Sequence, residues 1–232
     1  MFRYETHLHT FPASKCGKAS VRECVEFYHS LGYAGIFITN HFLDGNASAD
    51  KSLPYEERLD LYFADYEEGV AIGKELGISV FFGAEMSQTG EGTDFLVYGL
   101  DKAWYKAHPE IMQMKKSEEL PYLIENGALV VHAHPYREDD YIDHIHLFPR
   151  CVDGVEVVNA NRPELENRMA ELYAENYGLL RLAGSDNHLG NRQIYFAGVE
   201  FDTPLKDEQD FVRRVKSGQA NIFVTKTSYW PK

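Results

Sequence analysis

The chain is 232 residues long, 44% apolar and 25% charged, proportions that suit a globular domain with a substantial buried core. Its formal charge of −13, from 36 acidic and 23 basic residues, argues against a long nucleic-acid track, because phosphate backbones are held by surplus lysine and arginine. No apolar run approaches the ~20 residues that span a bilayer, the N-terminus has no signal-peptide pattern, and the three cysteines (Cys16, Cys24 and Cys151) lack metal-finger spacing; a cytoplasmic protein with free thiols and no membrane partner is expected.

In chain order, "FRYETH" reads as a strand, and "SVRECVEFYHSLG" as a helix with Ser20 and Glu23 at capping-box spacing and Gly32 as its stop. "GIFITN" is a second strand. Residues 54–76 read as a helix entered at Pro54 and left before Gly77. "ISVFFGAE" and "FLVYGL" are strands, and residues 108–126 are predicted helical up to Asn126-Gly127. "ALVVHAH", "GVEVVNA" and "LLRLAGSD" are three more strands, with a helix over 163–177 before the last. "QIYFAGVEF", a helix over 205–217 and a short strand "ANIFVT" complete the pattern. Strands this apolar, alternating with helices, imply a parallel sheet covered by helices. With no linker and no composition break, one domain over 1–232 is expected.

The ionisable residues fall at one end of these strands. His7 and His9 follow the first, His41 the second and Glu85 the third; His132 and His134, Glu156 and Asn159, and Asp186 and His188 follow three later ones. Contributions from six strands favour a β/α barrel, whose catalytic groups gather at the C-terminal rim, over an open sheet with a single switch point. Each piece alone has an ordinary explanation, such as a chance His-x-His, a paired core carboxylate at Glu85 or a helix cap at Asp186. Jointly they do not, since buried Asp, Glu and His need partners. Imidazole and carboxylate together suit Zn, Mn or Fe, and so many ligands suit a cluster of two or three divalent ions of the kind that drives phosphoester hydrolysis. His29 and His108 read as surface residues, and the second pair, His144 and His146, as part of a loop over 135–150 that can serve as a lid.

The stretches "THLHT", "GIFITNH", "GAE", "VHAHP", "GVEVVN" and "GSDNH" resemble, in order and over essentially the whole chain, the PHP (polymerase and histidinol phosphatase) superfamily of metal-dependent phosphoesterases. The resemblance implies a distorted seven-stranded, TIM-like barrel with a di- or trinuclear site. It implies that His7, His9, Glu85 and Asp186 hold one ion, that Glu85 bridges to a second also bound by His134, and that His41 and His188 serve a third. Three departures stand out. Where the family places a His or Asp after the first motif, this chain has Ala13-Ser14-Lys15-Cys16, leaving Cys16 or water to substitute. The nearest candidate for a further ligand after Glu85 is Asp94. The second motif reads Thr39-Asn40-His41, and Asn40 brings no negative charge to a supporting position.

The expected activity is therefore a phosphatase acting on a small phosphorylated metabolite, histidinol phosphate being the family-level example, by a metal-generated hydroxide attacking phosphorus in line. Arg137 is the expected bidentate phosphate clamp, with Lys15 and Arg192 as further candidates. His132 is expected to share the face of His134 one step deeper, and Glu156 to ligate or support. The rival readings are a phosphodiesterase or exonuclease on short nucleotides, a protein-tyrosine phosphatase, and a non-catalytic regulatory module. The sequence does not specify the oligomeric state.

Overall fold

The alternating apolar runs become strands and helices in the computed structural model of the chain, which describes residues 1–88 and 92–226. β1 (Phe2–Glu5) leads to α1 (Val21–Ser30), where the Ser20 hydroxyl accepts from the Glu23 amide and the Glu23 carboxylate accepts from the Ser20 amide, completing the predicted capping box. β2 (Gly35–Ile38) is followed by α2 (Tyr55–Leu76), which ends at Gly77 in the left-handed region (φ 81°). β3 (Ser79–Gln88) and β4 (Thr93–Tyr98) form a hairpin. A short α3 (Lys102–Ala107) comes next, and the helix predicted over 108–126 is in fact two pieces, a 3-10 turn (Pro109–Gln113) and α4 (Lys116–Glu125). Pro109 separates α3 from the turn, because it disfavours helical geometry at His108 (φ −125°, ψ 57°), and the extended backbone of Met114 (φ −74°, ψ 148°) and Lys115 (φ −72°, ψ 147°) separates the turn from α4. β5 (Leu129–Ala133), β6 (Gly154–Asn159), α5 (Glu164–Tyr177), β7 (Leu180–Gly184), β8 (Tyr195–Phe201), α6 (Glu208–Lys216) and β9 (Asn221–Lys226) follow.

The described strands make one sheet of nine, in the order β7-β6-β5-β4-β3-β2-β1-β8-β9, rather than the expected seven. The sheet is also mixed rather than parallel: β4 runs against both its neighbours, and β8 runs against β1 and β9. The β3–β4 connection is too short for the crossover helix that a parallel pair requires. The sheet curls until its two sides meet. Beyond the strand ends Leu8 bridges Asn187 in parallel, with the His9 amide donating to the Asn187 carbonyl (3.0 Å) and the Asn187 amide to that of His7 (3.1 Å). Just below, the Ser185 hydroxyl stitches β7 to β8, donating to the Ala197 carbonyl and accepting from its amide, both at 3.1 Å.

Inside the curl lies a core built on Tyr4, Phe37, Phe81, Leu96, Tyr98, Val131 and Phe201. Phe211 of α6 closes its base, packing 4.4 Å from the Phe37 ring and 5.0 Å from Tyr98. Outer clusters pack α1 and α2, the 3-10 turn with α4, and α5 against the other face. With the base plugged, polar side chains have only the opposite rim to occupy. Among the described residues no helix is long and apolar enough to cross a membrane.

Candidate metal centre

The rim is built from the first strand outward. Glu5, fully buried at the end of β1, accepts from the amides of Thr6 (3.0 Å), His7 (2.9 Å) and Ser185 (2.9 Å), and from the Tyr28 hydroxyl (2.8 Å). One carboxylate thus fixes the turn carrying His7 and the residue before Asp186. A second network sets His9. The Asn40 side-chain oxygen accepts from the Thr10 amide (2.7 Å) and the Ser14 hydroxyl (2.9 Å), and that hydroxyl meets His9 Nδ1 (3.2 Å) and accepts from the His41 amide (2.9 Å). Asp65 of α2, buried, accepts from the Thr10 hydroxyl at 2.7 Å, so the negative charge that Asn40 lacks enters one bond further out. Neither Glu5 nor Asp65 stood out in the sequence. The only sign of Asp65 was an acidic residue among the apolar positions of a helix.

Glu85 lies at the centre. Its Oε1 is 3.2 Å from His7 Nε2 and 3.2 Å from His134 Nε2; its Oε2 is 2.8 Å from His41 Nδ1 and 3.3 Å from His9 Nε2. Asp186 Oδ1 is 3.4 Å from His7 Nε2 and 3.3 Å from His9 Nε2. Glu156 does not face this centre with a free oxygen. It holds His7 Nδ1 at 2.8 Å and accepts from the His134 amide at 3.0 Å, orienting the His7 imidazole and fixing the backbone at His134. His134 (φ 27°) and Asp186 (φ 50°) both have left-handed backbones. Such strain persists where the surroundings over-determine it and clusters at functional sites.

The donor chemistry fits divalent ions. Glu85 Oε2 and Asp186 Oδ1 are buried against imidazole nitrogens yet accept no hydrogen bond, and His134 Nδ1 is likewise unsatisfied. Buried carboxylates left so are costly unless a cation joins them. Three overlapping groups have ligand atoms within 4.8 Å of one another: His7–His9–Glu85, His7–His134–Asp186 and His41–Glu85–Asp94. They form one wall of a cavity of about 590 Å³ whose lining also includes Cys16, Arg137, Arg162 and His188.

Comparison with known proteins bears on the fold. The PHP-associated family model (PHP_C) matches residues 164–220, the segment that contributes Asp186 and His188. A two-domain protein from Bacteroides vulgatus containing a predicted PHP-like metal-dependent phosphoesterase superposes with a TM-score of 0.69 at 16% identity, over 96% of this chain and 64% of its own. The chain has the fold of the PHP superfamily. A putative metal-dependent phosphoesterase from Bifidobacterium adolescentis shares this PHP fold with a TM-score of 0.58 at 15% identity, covering 91% of this chain and 94% of that one. An amidohydrolase from Chromobacterium violaceum, with sulfate bound and no metal, gives 0.58 at 14% identity, covering 94% and 97%. No curated protein matches the sequence.

The electrostatics of this PHP-type rim are those of a site short of positive charge. Burial raises the carboxyl of Glu85, but His41, His7 and His9 outweigh it and hold it well below the usual range. Burial likewise works against ionised Asp186, and His7, His9 and His188 overcome it. Burial opposes a charged His7 and His41, yet Glu156 and Asp186 beside the one and Glu85 beside the other hold both imidazoles well above their ordinary value. His9, flanked by His188 and His41, is pushed by burial and by its neighbour His188 to about 3. Burial raises the Cys16 thiol, and hydrogen bonds with His188 and His41 more than reverse this, to about 6. Protons on the histidines supply the charge that divalent ions would supply instead.

The structure gathers His7, His9, His41, Glu85, His134, Asp186, His188, Cys16 and Asp94 at one rim. Arg137 reaches it too, with its guanidinium 3.5 Å from Asp94 and stacked on Tyr141, whose hydroxyl it also contacts. His132 differs from expectation. It does not share the face of His134. It points outward, stacked on Phe95 with ring centres 4.9 Å apart, and both its nitrogens lack partners. β5 ends at Ala133 and the left-handed turn at His134 breaks the alternation, so the spacing of the pair no longer fixes a common side. Lys15 and Arg192 are exposed and line no part of the cavity; Arg192 bonds the carbonyls of Leu189 and Lys18 instead. Besides Arg137, the cavity lining includes the cationic residues Lys51 and Arg162, which lie in loops without a motif.

Proposed function

We propose that the chain is a metal-dependent phosphoesterase, and within that class a phosphomonoesterase acting on a small phosphorylated metabolite. The observation that carries this reading is the convergence of Glu85 and Asp186 with His7, His9, His41 and His134 at the floor of a cavity whose wall presents Arg137. Two or three divalent ions (Zn, Mn or Fe), when bound, supply Lewis acidity toward a phosphoryl oxygen and acidify a water to make it a nucleophile at neutral pH. His7, His9, Glu85 and Asp186 would hold one ion, Glu85 and His134 a second. Glu85 is suited to serve both, since it faces His7 and His9 of the first group and His134 of the second. Glu156 and Ser14 keep the His7 and His9 rings turned inward. Arg137, held by Tyr141 and Asp94, would donate to the phosphoryl oxygens from beside Asp94. The 590 Å³ cavity and the surplus of acidic residues favour a compact leaving group over a polymer.

The test is a panel of phosphoesters with metal-reconstituted protein: small monoesters, a diester, a phosphotyrosine peptide and a short oligonucleotide, at two salt concentrations. Monoester turnover with little salt dependence is expected. A better rate on the oligonucleotide that collapses with salt would hand the site to a nuclease, and turnover of none of them would leave a regulatory module.

A further inference from the structure

One group at the rim differs in kind from the rest. His9, Cys16, His41 and His188 bring ligand atoms within 4.8 Å of one another, and no carboxylate belongs to the group. The rings are tightly nested: His9 stacks on His188 at 4.4 Å and lies 4.6 Å from His41. The nitrogens are already apportioned. His9 Nε2 is taken up with Glu85 and Asp186, both at 3.3 Å. His41 turns Nδ1 to Glu85 at 2.8 Å, and His188 turns Nδ1 to the Asp186 carbonyl at 2.8 Å, so each has Nε2 left to offer. The Cys16 sulfur lies within 4.8 Å of a ring nitrogen of each. The loop bearing it is fixed rather than loose, since Lys15 donates to the Asn46 carbonyl and Gly17 to that of Ser14. Gly17 can be nothing larger, as a Cβ there would lie 2.7 Å from the Thr10 carbonyl carbon. All three donors face the open cavity.

We propose that Cys16, His41 and His188 form a thiolate–bis-imidazole site for one thiophilic divalent ion, zinc in preference to manganese, with a position left open toward the cavity. Soft thiolate selects zinc-like ions where an oxygen-rich site would accept manganese or magnesium, and three protein ligands with one open position is the pattern of a zinc site that takes part in chemistry. This ion would sit beside the carboxylate-bridged group and differ from it in metal preference, so the protein would be a mixed-metal one. The inference rests on the metal-binding half of the proposed function and not on turnover.

The probe is cobalt(II) alone, titrated into the chelator-stripped full chain and followed in the near ultraviolet, where sulfur-to-cobalt charge transfer absorbs and histidine or carboxylate ligation does not. A band that saturates with one equivalent and is bleached by zinc, but not by manganese, is expected. Cys16→Ser should abolish the band, while Cys24→Ser and Cys151→Ser should keep it, and Cys16→His should retain cobalt binding without it. Zinc affinity at this site should fall at least about tenfold in Cys16→Ser while manganese uptake elsewhere is unchanged. No band in wild-type protein that binds cobalt by mass spectrometry, or a band that survives in Cys16→Ser, overturns the proposal. Phosphoester turnover is scored separately, so an inactive protein with the band would refute the proposed function and leave this site standing.

Discussion

At the scale of single residues, ligands and their supports should behave differently. Asp186→Ala and His9→Ala remove groups at the centre and should lower kcat more than about tenfold, a barrier change above ~1.4 kcal/mol, with the far-ultraviolet circular dichroism unchanged. A variant that keeps more than a tenth of the wild-type rate is not a main ligand. Arg137→Ala should lower kcat/KM by roughly 10–100-fold, that is ~1.5–3 kcal/mol for a hydrogen bond to a charged group. Arg137→Lys should recover only part, because a point charge cannot reproduce a bidentate donor. If Arg137→Ala turns over small monoesters at the wild-type rate, the guanidinium is only a partner of Asp94.

Among the elements, β7 is packed tightly against the rim. A Cβ on Gly184 would lie 2.5 Å from the His7 Cβ and 2.7 Å from Glu156 Oε1. Gly184→Ala should cost ~1–3 kcal/mol in chemical denaturation through overpacking, and weaken metal uptake as well by turning His7 off Glu156; a loss of stability with unchanged metal content would place the strain elsewhere. The same strand shows how far the sequence could be read. "GSDNH" announces a strand end with ligands because Asp and His follow an apolar run where buried ionisable groups need partners. The His132–His134 pair announces a strand end equally well, yet its facing was illegible, since one left-handed residue decides it. Asp65 and Glu5 were illegible for another reason: their partners, Thr10 and Tyr28 or Ser185, come from distant parts of the chain. The 108–126 stretch departs from its periodicity locally, at Met114 and Lys115, whose extended backbone divides the run in two.

For the molecule as a whole, the balance between protons and cations predicts a pH effect. Burial opposes charge on His7 and His41, but the neighbouring carboxylates raise both above their unfolded values. Their contribution to stability is therefore complete below the unfolded imidazole pKa and is lost as pH rises through the folded one. Glu85 and Asp186 are depressed, so theirs holds above the unfolded carboxyl pKa and fades only as pH falls through the lowered value. Chelated protein should thus lose thermal stability as pH rises past neutrality. Because metal displaces those protons, the rise in Tm on adding zinc should grow over the same interval. Differential scanning fluorimetry with and without metal, below and above neutrality, checks it; a metal-induced shift that shrinks with rising pH contradicts the proton-for-cation exchange.

The Ser185 stitch between β7 and β8 has a mechanical consequence. Its neighbour is Asp186, and its own amide is held by Glu5, so the fastening of the curled sheet and the grip on the ions belong to one stretch of chain. An ion gripped by Asp186, His7 and His9 would work as a buckle, drawing the seventh strand onto the first where the backbone ladder is thinnest. Unbuckling should be visible far below global unfolding. On chelation, the Ala197 and Asn187 amides, which hold the seam and the Leu8 crossing, should exchange hydrogen faster, while those of Val130 and Val97 on the opposite side of the curl keep their rates.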